Sequence, residues 1–171
     1  MGDETGVKTD SNRVRGYGRK GQAPVLAQTA RKEHISMISA INNEGRLRFM
    51  MYWEAMTSQK LITFMARFIK DTGRKVYLIL DNLKVHHSRR VMEWVEAHMD
   101  TIELFYLPAY SPELNPDQYF SGDLRNRAHS GIPVRTDNDL KHKIQSFMRM
   151  LTKRPRRVRS HFRHPKVAYA A

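Results

Sequence analysis

An acidic side chain closes an apolar stretch near the middle of the chain. Residues 76–80, VYLIL, are apolar throughout, and Asp81 follows directly. A run without polar alternation is typical of a buried parallel strand, and ligands of open α/β sheets gather beyond the carboxyl ends of such strands. Carboxylate oxygens are the ligands that Mg²⁺ prefers. Asp81 is therefore the first candidate for metal chemistry, provided that other elements bring it partners.

Hydrophobic periodicity predicts the elements around Asp81. Two apolar runs joined by the turn residues Asn43, Glu44 and Gly45 predict a β-hairpin. A strand, a helix and a second strand then favour a parallel pair. Residues 1–34 are polar, contain glycine and are predicted mostly as loop. The predicted strands are 34–42, 47–53, 76–80 and 102–107, and the predicted helices are 57–70, 88–99, 116 to about 126, and a segment that begins at Thr136 or Asp137.

Apolar stripes on the predicted helices would cover this sheet. Thr57 or Ser58 can cap the first helix, and Gly73 can end it. The fold class is therefore predicted as α/β, a mixed sheet of an antiparallel hairpin and parallel strands flanked by helices. The stripes are Leu61, Met65 and Phe68 on the first helix; Val91, Trp94, Val95 and Met99 on the second; and Leu140, Ile144, Phe147, Met148 and Leu151 on the last.

The composition excludes several classes of protein. The 171 residues include no cysteine, which rules out a disulfide framework and a thiolate zinc site. No apolar run reaches the roughly 18 residues of a membrane span. The start of the chain, MGDETGVKTD, lacks the apolar segment of a signal peptide. We therefore expect a cytoplasmic protein that does not contact the membrane.

Positive charge is concentrated towards the C-terminus. The net charge is +13, and residues 125–171 hold 13 of the 30 Lys and Arg but 2 of the 17 Asp and Glu. Such a segment is typical of proteins that bind nucleic acid, although a solvated or disordered basic tail has the same composition. Contacts to phosphates would depend on salt and not on base sequence. The predicted DNA-binding residues are Lys153, Arg154, Arg156, Arg157 and Arg159.

Four stretches, in this order along the chain, resemble one family of enzymes. The sequence is similar to the catalytic domain of bacterial insertion-sequence transposases of the Tc/mariner group, within the DDE superfamily. This resemblance implies an RNase H-like fold and DNA strand cleavage and transfer. The stretches are residues 3–6 (DETG), 80–82 (LDN) with His86 shortly after, 107–116 (LPAYSPELNP) and 122–125 (GDLR).

The resemblance implies a set of acidic metal ligands. In this family three acidic residues hold two divalent metals, Mg²⁺ or Mn²⁺, which activate the attacking oxygen and stabilise the leaving oxygen of a phosphoryl displacement. The first acid corresponds to Asp3 and the second to Asp81. The third position is occupied by Gln118, whose neutral amide is a poorer ligand for Mg²⁺ than a carboxylate. The acidic residues that remain as substitutes are Glu113, Asp117 and Asp123.

Other residues receive supporting roles. Asn82 is expected to support the end of its strand. His86 would either approach the scissile phosphate and metal site or make a structural hydrogen bond. Tyr110 would line the DNA path or pack its own loop, and Asp117 lies beside the third acidic position.

The resemblance also sets expectations for the whole chain. Residues 1–151 would form the catalytic domain, truncated at its N-terminus so that the first strand is largely missing, and residues 152–171 a basic tail. DNA, as element ends and target, is the expected partner, and the expected location is the nucleoid in a bacterial cytoplasm. A homodimer and a helix-turn-helix half encoded upstream stay open. Two hypotheses remain: a transposase domain impaired by truncation and by Gln118, or a non-catalytic DNA-binding remnant or regulator.

Overall fold

The structure, a computed structural model, describes residues 1–8, 20–21, 34–109, 111–129 and 136–170. Within these residues five strands form a three-stranded sheet and a two-stranded sheet. β1 (Gly2–Lys8), β2 (His34–Ile41) and β3 (Leu47–Tyr52) are antiparallel neighbours in that order. β4 (Val76–Leu80) and β5 (Ile102–Tyr106) form a parallel pair. These strands and the helices around them confirm the predicted mixed α/β fold.

β1 corrects the prediction of loop for the first residues. Its seven residues pair with β2 from Gly2 opposite Ala40 to Lys8 opposite His34. Glycine is disfavoured in strands, and few residues precede Asp3, so the local sequence does not indicate this strand. Most of the strand consists of residues 4–8, which follow Asp3. A first strand is thus present over seven residues.

β1 and β4 lie side by side without a ladder of backbone hydrogen bonds between them. Gly2 permits the close approach, because a Cβ at this position would lie 3.0 Å from Leu80 Cδ2 and 3.1 Å from the Ser39 carbonyl oxygen. The strands therefore succeed one another as β3, β2, β1, β4 and β5, with a seam between β1 and β4. The candidate site lies at this seam.

Helices cover both faces of the sheet. In α1 (Ser58–Thr72), the hydroxyl of the predicted cap Thr57 accepts a hydrogen bond from the Lys60 N–H, and the helix ends at Gly73 with a φ of 65°. The later helices are α2 (Arg89–Glu96), α3 (Pro116–His129), α4 (Asp137–Thr152) and α5 (Pro155–Ser160).

α2 is shorter than the predicted helix 88–99. After Glu96 the chain tightens into turns, in which the His98 N–H donates to the Val95 carbonyl. This change turns Met99 away from the sheet and leaves it 58% exposed, so the prediction that Met99 belongs to the inward stripe is wrong. Val91 is buried as expected.

Two apolar clusters lie on opposite faces of the sheet. The cluster beneath α3, α4 and α5 contains the predicted stripe of α4, all of it buried, and the cluster beneath α1 and α2 contains the inner residues of β4. The principal residues of the first are Val7, Ile35, Met37, Phe120, Leu124, Leu140, Ile144, Phe147, Met148, Leu151, Val158 and Phe162; those of the second are Ile38, Tyr52, Leu61, Phe64, Met65, Leu78, Leu80, Val91 and Ile102.

The basic C-terminal segment is folded over its described residues. α5 and two 3-10 turns, His161–Arg163 and Pro165–Ala170, bury Val158, Phe162 and Val167. The Gly45 turn of the β-hairpin, with a φ of 87°, passes so close to Pro155 that no Cβ would fit there. This segment therefore packs against the rest of the domain.

No helix within the described ranges combines the length and the apolar character needed to cross a bilayer.

Candidate active site

Asp3 and Gln118 meet at the start of α3. Asp3 lies on β1 with its side chain towards α3 and is 2% exposed. The Gln118 Nε2 donates a hydrogen bond to Asp3 Oδ2 over 2.6 Å. α3 begins at Pro116, and the Asn115 side chain accepts from the Asp117 N–H over 3.0 Å, as expected of a helix cap. The residue in the third acidic position thus faces the first acid and satisfies it with an N–H group.

Asp117 occupies a different direction from its neighbour. Its side chain is fully buried, and its Oδ1 accepts a hydrogen bond of 2.8 Å from the Ser39 hydroxyl on β2. Adjacent helical residues point roughly 100° apart, so the side chain of Gln118 points towards Asp3 and that of Asp117 points towards β2. Asp117 Oδ2 has no hydrogen-bond partner within the described part of the chain.

Asp81 is held by a histidine that follows it in the chain. The 3-10 turn Lys84–His87 returns the chain beneath the end of β4 and buries His86. The His86 Nδ1 lies 2.9 Å from the Asp81 carbonyl oxygen and 3.1 Å from Asp81 Oδ1. The shorter contact is the hydrogen bond, and Oδ1 accepts none from the described residues. Asp81 is thus fixed through its backbone, and its carboxylate oxygen Oδ1 also faces the same ring nitrogen.

Glu4 connects the same histidine to β1. The His86 Nε2 lies 3.3 Å from Glu4 Oε1, and the Tyr52 hydroxyl donates to Glu4 Oε2 over 3.3 Å. The Tyr106 hydroxyl of β5 donates to the His86 carbonyl over 3.2 Å. A chain of side-chain contacts therefore crosses the seam from β3 through β1 to the ends of β4 and β5.

The buried acids have strongly shifted pKa values. Burial, and then repulsion from Asp117 and Asp81, raises the pKa of Asp3 to about 8. Burial also raises the pKa of Asp117 to about 7, against the opposing effect of the Ser39 hydrogen bond. Burial alone would lower the pKa of His86, but its hydrogen bonds to Asp81 and Glu4 outweigh burial and raise it to about 9. The site therefore holds excess negative charge that protons neutralise near neutral pH.

The donor set suits a divalent cation only partly. Asp3 and Asp81 offer carboxylate oxygens, although Asp81 Oδ1 also lies 3.1 Å from the His86 ring. Mg²⁺ is commonly held by one or two carboxylates together with water and substrate phosphate. Across the described residues, however, no three His, Cys, Asp or Glu side chains are grouped in a way that could hold a metal ion. Gln118, a neutral amide, stands in the third acidic position and directs an N–H group at Asp3.

The other acidic substitutes lie elsewhere. Asp123 accepts a bidentate pair of hydrogen bonds from Arg157, with contacts of 2.8 to 3.1 Å. Glu113 is exposed in the 3-10 turn before α3. Neither is joined by a described contact to Asp3 or Asp81.

The predicted supporting residues have mixed outcomes. His86 makes the structural hydrogen bonds that were one of its two expected roles. Asn82 is exposed, and its Oδ1 lies 2.5 Å from the Nε2 of His87, whose ring lies against Tyr106. Tyr110 lies outside the described residues, so its predicted role is untested.

The predicted DNA-binding residues fall into two groups. Arg157 is bound to Asp123, and its guanidinium lies 5.7 Å from the Phe147 ring centre. Lys153 and Arg154 are exposed and, with Arg149, line a groove of about 480 Å³ on the outer side of α4. Arg156 and Arg159 are exposed on α5.

Sequence reasoning missed Glu4, Ser39 and Tyr52. The sequence does contain a signal for Glu4, because this residue follows Asp3 in the first stretch that carries the resemblance. Successive strand residues point to opposite faces, so Glu4 could be expected on the face of β1 opposite Asp3. Ser39 and Tyr52 had none, because their contacts join residues 78 and 48 positions apart.

A mixed α/β domain with acidic residues at the seam of its sheet has the architecture of RNase H-like nucleases. Residues 1–141 match the family described as DDE superfamily endonuclease. The chain therefore belongs to the DDE superfamily of endonucleases. Comparison with curated proteins gave no match.

Solved structures of the Mos1 mariner transposase share the fold. The strand transfer complex of Mos1 superposes with a TM-score of 0.64 at 18% identity, over 99% of this chain and 53% of that chain. The paired-end complex with Mg gives 0.68 at 16%, over 99% and 55%. The Mos1 catalytic domain alone gives 0.56 at 14%, over 98% and 81%. The chain thus spans about half the length of the Mos1 chains in the two complexes.

Proposed function

We propose that this chain is a transposase catalytic domain that cleaves and joins DNA weakly, with a divalent cation held by Asp3 and Asp81. The observation that carries the proposal is the meeting of Asp3, Gln118 and Asp81 at the seam, in a chain of the DDE superfamily. The Mos1 paired-end complex with Mg supports Mg²⁺ as the cation, with Mn²⁺ as its substitute.

Asp3 and Asp81 have separate tasks in this proposal. Asp3 would lose its proton in the presence of a bound cation, because the positive charge would offset the burial and the repulsion that raise its pKa. Asp81 offers Oδ1, while His86 keeps its backbone in place. A bound cation of this kind acidifies an attacking water or hydroxyl and stabilises the leaving oxygen of a phosphoryl group.

Gln118 limits the activity in this proposal. It hydrogen-bonds Asp3 without bringing a negative charge, so two carboxylates remain where the family has three. A second dication is then held poorly. We therefore expect slow cleavage and strand transfer.

The DNA-binding surface in this proposal is the basic groove on α4. Arg149, Lys153 and Arg154 line it, and no carboxylate among the described residues forms an ion pair with them. Other exposed cations, such as Arg89 and Lys75, are paired with Glu93 and Glu103. Unpaired cations on one groove suit a phosphate backbone, and Arg156 and Arg159 extend the positive surface.

The alternative function is DNA binding without cleavage. It is favoured by the missing third carboxylate, since the described residues contain no metal-binding cluster of three. In that case the domain would occupy DNA as a remnant or regulator of transposition. Both functions use the groove on α4 to bind DNA. They differ in whether the acidic residues at the seam support DNA cleavage.

Nicking of a supercoiled plasmid separates the two functions. With Mn²⁺, the wild-type chain should nick slowly, and Asp81→Asn should reduce the rate at least about tenfold, because an amide loses the anionic ligand. Equal rates for both chains would contradict the catalytic proposal.

Duplex-DNA binding, followed by fluorescence anisotropy at several salt concentrations, tests the groove in the same preparations. Arg149→Gln with Lys153→Gln should reduce the slope of log affinity against log salt by about 2, at roughly 0.9 per lost phosphate contact. The matched control is Arg67→Gln with Lys70→Gln, two exposed cations on α1. An equal effect of both pairs would contradict the groove.

A further inference from the structure

We propose that Glu4 is a positioning residue that, through His86, ties β1 to the end of β4 and thereby fixes Asp81. This inference rests on the proposed function for the role of Asp81, but the tie itself does not. β1 and β4 share no backbone ladder, so the relative positions of Asp3 and Asp81 depend on side chains at the seam.

Each carboxylate oxygen of Glu4 has a side-chain partner of its own. Oε1 lies 3.3 Å from His86 Nε2, and Oε2 accepts from the Tyr52 hydroxyl over 3.3 Å. The Glu4 side chain is 20% exposed and that of His86 is 1% exposed. A carboxylate held at both oxygens in a mostly buried place has a fixed orientation, which a solvated acid lacks.

His86 transmits this fixation to the end of β4. Its other ring nitrogen bonds the Asp81 carbonyl and lies 3.1 Å from Asp81 Oδ1. The Tyr106 hydroxyl holds the His86 carbonyl from the opposite side. The ring therefore has partners in β1 and at the end of β4, and its own backbone is held from β5.

Glu4 and Asp3 have opposite tasks because they point to opposite faces of β1. Asp3 faces α3 and Gln118, whereas Glu4 faces Tyr52, a residue of the cluster beneath α1 and α2. Glu4 thus supports Asp81 through His86, from the face of β1 opposite Asp3. Partners that orient a metal ligand commonly change metal affinity by about 10–100-fold when they are removed.

The test is Mn²⁺ affinity by calorimetry in the full chain. Glu4→Ala and His86→Ala should each weaken Mn²⁺ binding by about tenfold, and the double variant should be no weaker than the weaker single one. Glu4→Gln should stay within about threefold of wild type, because its amide can still meet His86 and Tyr52. The matched control is Glu113→Ala, an exposed acid.

The variants also separate positioning from direct ligation. If Glu4→Gln loses as much affinity as Glu4→Ala, Glu4 binds the metal itself and the proposal fails. Should Glu4→Ala not fold, Tyr52→Phe replaces it, since it removes only the hydroxyl. An affinity loss of about threefold supports the proposal, and no loss overturns it.

Urea unfolding without metal tests the tie independently of the proposed function. The effects of Glu4→Ala and His86→Ala on stability should be non-additive if the two residues interact. Additive effects overturn the tie. A wild-type chain that binds no Mn²⁺ counts against the proposed function, and this cycle then decides whether the tie exists.

Discussion

Two acids share one buried region of the seam, where the ammonium group of Met1 attracts Asp117 but does not offset the effect of burial on its pKa. Asp3 and Asp117 both have raised pKa values, chiefly because they are buried. Gln118 and Ser39 each supply one of them with a neutral hydrogen bond. A third carboxylate at position 118 would add repulsion to Asp3. In the proposed function, Gln118 therefore stabilises the metal-free site and weakens the binding of a cation.

Asp3 makes stability depend on pH. Its folded-state pKa of about 8 lies above its ordinary value of 3.8, so the folded chain retains a proton that the unfolded chain releases. The stability that Asp3 contributes is therefore lost as pH rises from about 4 to about 8. Between pH 5 and pH 8 the wild type should lose about 2–4 kcal/mol more than Asp3→Asn, at about 1.36 kcal/mol per pKa unit. Urea unfolding at both pH values measures this difference.

A matched variant separates this effect from a general loss of charge. Glu113→Gln removes an exposed acid from the 3-10 turn before α3. The free energy of unfolding of this variant should depend on pH as that of the wild type does. His86, whose pKa is about 9, also loses stabilising charge as pH rises, but it is present in all three chains. A constant difference between wild type and Asp3→Asn across this range would show that Asp3 does not retain its proton.

The elements differ in how far their own sequence determines them. The caps of α1 and the apolar stripe of α4 are local signals, and both were predicted correctly. β1 has no such signal, because its glycines are poor strand formers and its structure comes from pairing with β2. The end of α2 also depends on turns that hydrophobic spacing does not indicate.

The site could be predicted only in part for the same reason. Asp81 was found because it follows a recognisable strand, and Asp3 and Gln118 were found through the family resemblance. The contact between Asp3 and Gln118 links residues 115 positions apart. Such contacts arise from the way strands and helices pack, which local patterns do not specify.

The basic C-terminal segment contributes to the core of the domain. Phe162 is 3% exposed and belongs to the cluster beneath α3 and α4. The buried residues Val158, Phe162 and Val167 are separated in sequence by basic residues. The composition of the segment therefore does not reveal that one side of it is buried. Phe162→Ala should lower the free energy of unfolding by about 3 kcal/mol, since it removes a large buried ring.

The adjacent exposed residue is the control for that prediction. Arg163→Ala should change the free energy of urea unfolding by less than about 0.5 kcal/mol, as surface substitutions usually do. If both variants unfold at the same urea concentration as wild type, the segment does not pack in the core.

The whole molecule combines the candidate site at the seam with exposed cations on α4 and α5. In the proposed function, its net charge of +13 attracts nucleic acid without regard to base sequence. The groove on α4 and the seam belong to the same domain, and α3 contacts both α4 and β1. The proposed DNA binding and the proposed cleavage are thus expected to be separable by substitution, since different residues would carry them.

In the proposed function, Gln118 limits cation binding by Asp3 and Asp81. Calorimetric titration of Mn²⁺ into the wild-type chain and Gln118→Glu tests it most directly, with Gln59→Glu on the exposed surface of α1 as the control. Gln118→Glu should bind Mn²⁺ at least about tenfold more tightly than the wild type, because a carboxylate is a far better Mn²⁺ ligand than an amide. Gln59→Glu should bind Mn²⁺ as the wild type does. Equal affinities for wild type and Gln118→Glu would contradict the limiting role of Gln118.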